Sequence, residues 1–237
     1  MSKISATLLA LSLSLVALSP LSAAPVACLN GTYAGLIATN AGGGCFISDK
    51  TFTNFMFNAT VSGSPAPIPL TESQVQVNII NNGPADIGFQ FIFSLTTGPQ
   101  ASNDIFLQYT VTAPSARITS EHLSETGNFS GTGSAVVDET ICIGAAWSGG
   151  TCAGTTAALH TFSNSVGIKI TDAVNFSPVT VLGVRKDINV AGNVNGFATI
   201  SGVTNTVDQV VPEPTTMLLM GSGLFLAGIF SRRIKKA

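Results

Sequence analysis

Hydrophobic and polar residues alternate with a period of two through much of the middle of the chain. Residues 74–80 alternate in this way, residues 87–95 repeat the pattern with phenylalanines at apolar positions, and residues 104–112 repeat it again. The segments Asn-Asn-Gly-Pro at 81–84 and Thr-Gly-Pro at 97–99 separate these runs, and such residues favour turns. A period of two is typical of strands with one buried face. The pattern therefore predicts antiparallel strands joined by short connections.

Shorter runs of the same kind predict further strands, at residues 51–57, 117–123, 135–140, 157–162, 166–170, 179–184 and 196–200. No helical period extends beyond about ten residues in this part of the chain. We therefore predict one all-β domain over residues 25–203, an antiparallel β-sandwich of jelly-roll-like or Ig-like type. Residues 204–211 are predicted as a linker behind it.

The N-terminal residues predict export. Lys3 precedes an apolar run over residues 6–18, and Ser19-Pro20 and several small residues follow. This is the layout of a secretory signal peptide, predicted here as residues 1–24 and implying export by the Sec route. Val26-Ala27-Cys28 also resembles the end of a lipoprotein box, but Pro25 occupies a position that is normally aliphatic. We therefore favour a disulfide for Cys28.

A second apolar segment, residues 217–230, lies near the C-terminus. Its 14 residues would span roughly 21 Å as a helix, and a bilayer core is about 30 Å thick. Uncharged flanking residues reduce the shortfall, and Arg232, Arg233, Lys235 and Lys236 can snorkel to the interface. Such a basic cluster stays on the cytoplasmic side. We predict a single transmembrane helix with the β-domain outside and the basic tail inside.

These C-terminal features together resemble the PEP-CTERM sorting signal. The resemblance rests on Val211, Pro212, Glu213, Pro214 and Thr215, followed by the apolar segment and the basic terminus, and covers residues 212–237 together with the preceding valine. It implies recognition by exosortase, an integral-membrane cysteine protease thought to remove the tail after a transient stay in the inner membrane. It further implies delivery to the envelope or extracellular matrix of a Gram-negative bacterium, often with glycosylation and association with exopolysaccharide.

The two prolines agree physically with this interpretation. Pro212 and Pro214 keep the segment around Glu213 extended, so a protease can bind it as a strand outside the membrane. A plain C-terminal membrane anchor with a proline-rich linker is the alternative interpretation.

Charge excludes one class of partner. Charged residues make up only 9% of the chain, against roughly 25% in a typical soluble protein. Residues 25–211 hold five basic and eleven acidic side chains, without a basic cluster. Nucleic-acid binding needs a Lys/Arg footprint, so we expect none.

The four cysteines form two local pairs in the sequence, Cys28 with Cys45 and Cys142 with Cys152. Four cysteines allow three connectivities, but the loop lengths favour these two. Disulfides are the expected state after export to an oxidising compartment. Neither a CxxC motif nor Cys/His spacing supports a metal site.

Candidate catalytic groups do not form a recognisable motif, so we predict no catalytic residues and no enzyme. His122 has Glu121 and Glu125 nearby, but strand geometry would place His122 on the opposite face from both, and a solvated polar edge is favoured. Asp138 and Glu139 would likewise face opposite ways. His160 is expected to be structural, and no G-x-S-x-G elbow supports a Ser-His-Asp triad. Calcium binding is a further alternative, with aspartates expected near turns at 86, 104, 172 and 187.

Two classes of function remain open. The first is a structural, adhesive or exopolysaccharide-associated matrix protein, and the second is a secreted hydrolase or carbohydrate-binding protein acting on the matrix. Trp147 is the candidate carbohydrate contact, with packing against the Cys142–Cys152 disulfide as its alternative role. Residues 180–201 resemble the last hairpin of other small exported proteins with this tail, with Arg185, Lys186 and Asp187 as its charged exposed part.

Overall fold

The computed structural model describes residues 24–83, 86–113 and 117–210. The predicted signal peptide and the predicted sorting signal therefore lie outside the described residues. The elements are β1 (Val26–Ala27), β2 (Gly31–Thr32), α1 (Tyr33–Thr39), a 3-10 turn (Asn40–Gly42), β3 (Cys45–Ile47), β4 (Lys50–Gly63), β5 (Gln76–Asn81), β6 (Ile87–Thr97), β7 (Ala101–Thr112), β8 (Arg117–Ser130), β9 (Ser134–Ile143), β10 (Trp147–Ser148), β11 (Thr151–Cys152), β12 (Thr155–Asn164), β13 (Gly167–Lys169), β14 (Thr171–Val179), β15 (Val181–Ala191) and β16 (Phe197–Val210).

The strands form two large sheets. Sheet A has eight strands in the order β1-β3-β4-β7-β15-β9-β12-β13, and sheet B has six in the order β14-β8-β16-β6-β5-β2. The short strands β10 and β11 form a separate hairpin. The long strands all pair antiparallel with their neighbours, and the described parallel pair is β1 with β3. An all-β antiparallel sandwich is thus confirmed, although the sheets hold more strands than the seven to nine of an immunoglobulin domain.

Alternation along the strands explains the core between the sheets. In β6, Phe89, Phe91, Phe93 and Leu95 are buried, whereas Ile92 between them is 38% exposed. The aromatic rings of the two sheets meet edge to face. Phe89 of sheet B contacts Phe52 and Tyr109 of sheet A, with centroids 4.7 and 5.6 Å apart. Such pairs stabilise a core beyond the area that they bury.

The helix α1 packs onto sheet A although no helix was predicted there. Thr32 caps it by accepting a hydrogen bond from the backbone N–H of Gly35. Tyr33 is fully buried, and its hydroxyl donates to the carbonyls of Gln108 (2.8 Å) and Met56 (3.1 Å). With only 7 residues, the helix is too short to leave a hydrophobic period in the sequence.

Both predicted disulfides are present, Cys28–Cys45 and Cys142–Cys152. The first ties the start of the domain to β3. The second closes a loop of sequence separation 10 that carries the β10–β11 hairpin.

The predicted end of the domain needs two corrections. Residues 204–210, predicted as a linker, are the second half of β16, and β16 lies between β8 and β6 in sheet B. The predicted last hairpin does not form, because β15 belongs to sheet A and β16 to sheet B. Strand β14 was not predicted, since Pro178 and several polar residues interrupt its pattern. Among the described residues no helix is long and apolar enough to cross a membrane.

Candidate functional site

A groove on the outer face of sheet A gathers aromatic, basic and acidic side chains. We call it the Trp147 groove; its volume is about 320 Å³. The lining residues include Phe106, Asp138, Thr140, Trp147, Gly150, Arg185 and Asp187. They come from β7, β9, β15 and the β10–β11 hairpin, which pack together only in the folded sheet.

The hairpin forms one wall of the groove. The Cys142–Cys152 disulfide holds it, and Trp147 lies over β15 at Gly183. The guanidinium of Arg185 stacks on the indole at 4.1 Å from the ring centroid, and Phe106 lies 5.8 Å from the same guanidinium. Arg185 also donates through Nε to Oε1 of Gln108 (2.7 Å) and through Nη1 to the carbonyl of Gly150 (3.2 Å). Trp147 therefore packs against β15 and also lines the groove, and its role as a carbohydrate contact stays a prediction.

A row of titratable groups crosses the floor beside Arg185. Strand pairing sets Asp138 directly opposite both Asp187 and His160, and Asp187 opposite Phe106 on its other side. Nδ1 of His160 contacts Oδ1 of Asp138 at 2.6 Å. We call Asp138 and Asp187, together with the adjacent His160, the carboxylate row.

The carboxyl group of Asp187 has a higher pKa than an ordinary aspartate. Partial burial, with the negative charges of Asp104 and Asp138, raises the pKa of Asp187 to about 6. A neighbouring negative charge disfavours ionisation. Asp187 thus holds a proton at mildly acidic pH and loses it near neutrality.

The prediction that residues 185–187 form a charged, exposed segment is wrong for Lys186. Arg185 and Asp187 face the groove, but Lys186 is fully buried between the sheets. The reason is strand alternation, because the outward direction of 185 and 187 forces 186 inward. The same rule places Asp138 outside and Glu139 inside, as predicted.

The environment of His122 also differs from the prediction. His122 does face away from Glu121 and Glu125, as expected, but β8 is an interior strand of sheet B and both glutamates are buried. The segment is therefore not a solvated edge. Burial raises the pKa of Glu125 to about 7, and Ser163 donates to its Oε1 at 3.1 Å, which reduces the shift.

His122 lines a second, polar groove of about 440 Å³ on the outer face of sheet B, with Ser124, Thr171, Thr204 and Thr206. Its Nε2 lies 3.1 Å from the Ser120 hydroxyl and 3.0 Å from Oδ2 of Asp208. In a catalytic triad the serine and the carboxylate contact opposite ring nitrogens. Here both contact the same nitrogen, so this Ser-His-Asp set does not form a proton relay.

The aspartates considered for calcium are dispersed. Asp104 and Asp187 lie within strands, Asp86 accepts from the side chain of Asn82, and Asp172 pairs with Lys169 at 2.9 Å. Within residues 24–83, 86–113 and 117–210, no group of three or more His, Cys, Asp or Glu side chains is arranged to hold a metal ion.

The fold and the site define an all-β sandwich protein with a surface groove. Residues 210–236 match the family model described as the PEP-CTERM protein-sorting motif. The chain therefore carries a PEP-CTERM sorting motif, which implies sorting by exosortase to the cell envelope or the extracellular space. No curated protein sequence matches the chain.

Solved structures resemble the sandwich only partially. One is TmCBM61 in complex with β-1,4-galactotriose, at 15% identity and a TM-score of 0.31, covering 62% of this chain and 86% of that one. Another is the enzymatically active domain of bacteriophage CBA120 tailspike protein 4, at 14% identity and a TM-score of 0.30, covering 65% of this chain and 19% of that one. A third is a family 12 xyloglucanase from Bacillus licheniformis, at 12% identity and a TM-score of 0.24, covering 63% and 99%.

Proposed function

We propose that this protein is an exosortase-processed component of the extracellular matrix or cell envelope, and that it binds exopolysaccharide in the Trp147 groove. The sorting motif at 210–236 supports the location. The observation that carries the binding proposal is the stack of Trp147, Arg185 and Phe106 beside the carboxylate row. Sugar rings present apolar C–H faces and hydroxyl edges, so an aromatic wall next to charged hydrogen-bonding groups suits them.

The same motif, with the signal peptide predicted at residues 1–24, supports the following processing route. The Sec pathway exports the chain, the apolar segment 217–230 anchors it transiently in the inner membrane, and exosortase cleaves near Pro212–Pro214. Arg232, Arg233, Lys235 and Lys236 keep the tail on the cytoplasmic side until cleavage.

Mass spectrometry of the protein from a native envelope fraction tests the route. We expect a C-terminus near Pro212–Pro214, with added hexose masses if the matrix form is glycosylated. Glu213→Ala should leave the anchored precursor uncleaved, whereas Thr216→Ala, next to the motif, is the matched control. Peptides from the mature protein that contain Arg232–Lys236 would support a plain membrane anchor instead.

Affinity electrophoresis through gels containing exopolysaccharide from the producing strain tests the binding. We expect retardation of the wild type and its loss in Trp147→Ala. Phe197→Ala is the control, because Phe197 is 55% exposed and lies outside the groove. Equal retardation of all three proteins would overturn the groove as the binding site.

A second candidate function is hydrolysis of the same polysaccharide, favoured by the pairing of Asp187 with Asp138. Glycosidases use two carboxylic groups, one protonated as acid and one ionised. Asp187 carries the raised pKa, and Asp138 is the adjacent group held by His160. Release of reducing ends by the wild type and its absence in Asp187→Asn would support this function. Binding without release would leave the protein a binding module.

A further inference from the structure

Lys186 and Glu139 face each other at the centre of sheet A. They are paired residues on the neighbouring strands β15 and β9, and both side chains are fully buried. Nζ of Lys186 contacts Oε2 of Glu139 directly. Along their own strands they lie between buried apolar residues, Val184 and Ile188 on one side and Val137 and Ile141 on the other. Bulk water has no access to this contact.

A second glutamate, on the opposite sheet, lies close enough to Lys186 for their charges to interact. Glu121 of β8 is fully buried beside Asn205, and neither of its carboxyl oxygens makes a hydrogen bond of good geometry with any residue that the structure describes. Burial raises its pKa to about 8, and the positive charge of Lys186 offsets only part of that effect. Burial also lowers the pKa of Lys186 to about 7. Burial thus favours the uncharged forms of Lys186 and Glu121.

Hydrogen bonds fix the orientation of Glu139. The side-chain amide of Asn205 donates to its Oε1 at 3.3 Å and to the carbonyl of His122 at 3.0 Å. The hydroxyl of Tyr109 in turn donates to Oδ1 of Asn205. One carboxyl oxygen of Glu139 is thus held by an amide while the other meets the lysine.

We propose that Lys186 and Glu139 condense to an intramolecular isopeptide bond that joins β15 to β9. Proton transfer from the ammonium to the carboxylate first gives an amine and a carboxylic acid. The lone pair of Nζ then attacks Cδ of Glu139, the C–N bond forms, and the C–OH bond breaks with release of one water molecule. Glu121 gives its proton to the departing hydroxyl and takes one from Nζ, so it ends unchanged.

The surroundings favour this product. A buried ion pair loses the hydration of both charges, and its attraction often fails to compensate. An amide carries no charge, so condensation removes this desolvation cost from the core. The released water molecule passes to the bulk solvent. Glu121, the second carboxyl group of the site, then has a role, because a plain Lys–Glu pair has no need of it.

Peptide mapping of the purified wild-type protein tests the bond without any assumption about the processed ends. The protein is denatured, reduced, alkylated and digested with trypsin plus chymotrypsin. We expect a branched peptide that joins the segments containing Glu139 and Lys186 and is lighter by one water than their sum. Linear peptides alone, with free Lys186, would show an ordinary ion pair and overturn the proposal. A branched peptide joining Lys186 to Asn205, lighter by one ammonia, would overturn the assignment of Glu139.

Three variants separate the chemistry from folding. Lys186→Arg keeps the charge but lacks a comparable nucleophile, so the branched peptide should disappear. Lys50→Arg is the control, since Lys50 is the other fully buried lysine among the described residues but contacts Asp49 and Gln209 instead. Glu121→Gln keeps the shape of the proton-transfer group, and we expect at least tenfold slower bond formation in freshly refolded protein. Formation at the wild-type rate in this variant would exclude Glu121 from the reaction.

Discussion

Gly183 lies directly beneath the indole of Trp147. A Cβ atom at position 183 would stand 2.9 Å from Cδ1 of Trp147 and 3.1 Å from the carbonyl oxygen of Ala145. Only a residue without a side chain lets the β10–β11 hairpin lie against β15. The wall of the Trp147 groove therefore depends on a glycine in the strand below it.

Replacing Gly183 by valine should displace the hairpin. We expect a loss of about 1–3 kcal/mol, the range for overpacking, and a red shift in fluorescence, which reports Trp147 alone since the chain has one tryptophan. Urea denaturation followed by tryptophan emission measures both. Gly42→Ala is the matched control, because nothing lies within 4 Å of a Cβ there. Unchanged emission in Gly183→Val would contradict the packing.

Arg185 should not be replaceable by lysine. Lysine keeps the charge but loses the planar stack on Trp147 and the donation to Gln108. We expect Arg185→Lys to lose about 0.5–2 kcal/mol of stability and to expose the indole to an added quencher. Lys169→Ala, which removes the ion pair with Asp172 on a partly exposed lysine, serves as the control and should cost less. Equal quenching in both variants would argue against the stack.

Glu125 should make the protein less stable as the pH rises. Its folded-state pKa of about 7 lies above its ordinary value of 4.5, so the native state holds a proton that the unfolded chain releases. The stabilising contribution is complete below pH 4.5 and is lost as the pH rises to 7, at about 1.4 kcal/mol per pH unit for one full proton.

Urea midpoints of the wild type and Glu125→Gln between pH 4 and 8 check this sign. The Glu125→Gln variant should lack the loss of unfolding free energy that Glu125 causes between pH 4.5 and 7. Its stability relative to the wild type should therefore rise with pH. Glu72→Gln, at an exposed position, should follow the wild type. Parallel curves for the wild type and Glu125→Gln would refute the shift.

Removing the Cys142–Cys152 disulfide should affect both stability and the groove. Its loop is short, and chain entropy gives about 3 kcal/mol for such a closure. The double substitution Cys142→Ser, Cys152→Ser should lower the free energy of unfolding by up to that amount and broaden the emission of Trp147. The matching Cys28→Ser, Cys45→Ser variant should be destabilised while the emission stays as in the wild type. Unchanged Trp147 emission in the Cys142→Ser, Cys152→Ser variant would show that strand packing alone holds the hairpin.

Periodicity predicted most of the strands because each one buries a single face. β6 and β7 appear in the sequence almost with their observed bounds, since Phe89, Phe91, Ile105 and Leu107 alternate with polar residues. β14 was missed because Pro178 and polar residues interrupt its pattern and because, at the edge of sheet B, none of its residues is fully buried.

The groove could not be predicted for a different reason. Alternation places Phe106 with Asp104 and Arg185 with Asp187 on common faces, but it does not say which strands become neighbours. β9 and β15 are separated by five other strands in the chain yet pair in sheet A. The burial of Lys186 and Glu121 could not be predicted either. Charged residues are rarely fully buried, and the composition gave no reason to place these two in the core.

The last strand has a consequence for maturation. β16 runs to Val210, its last three residues paired with β8, and the matched sorting motif begins at the same residue. The described part of the body thus reaches the first residue of the matched motif. On the proposed route, the membrane protease would meet the folded sandwich directly in front of its cleavage segment, so its entrance would need room for a whole folded domain.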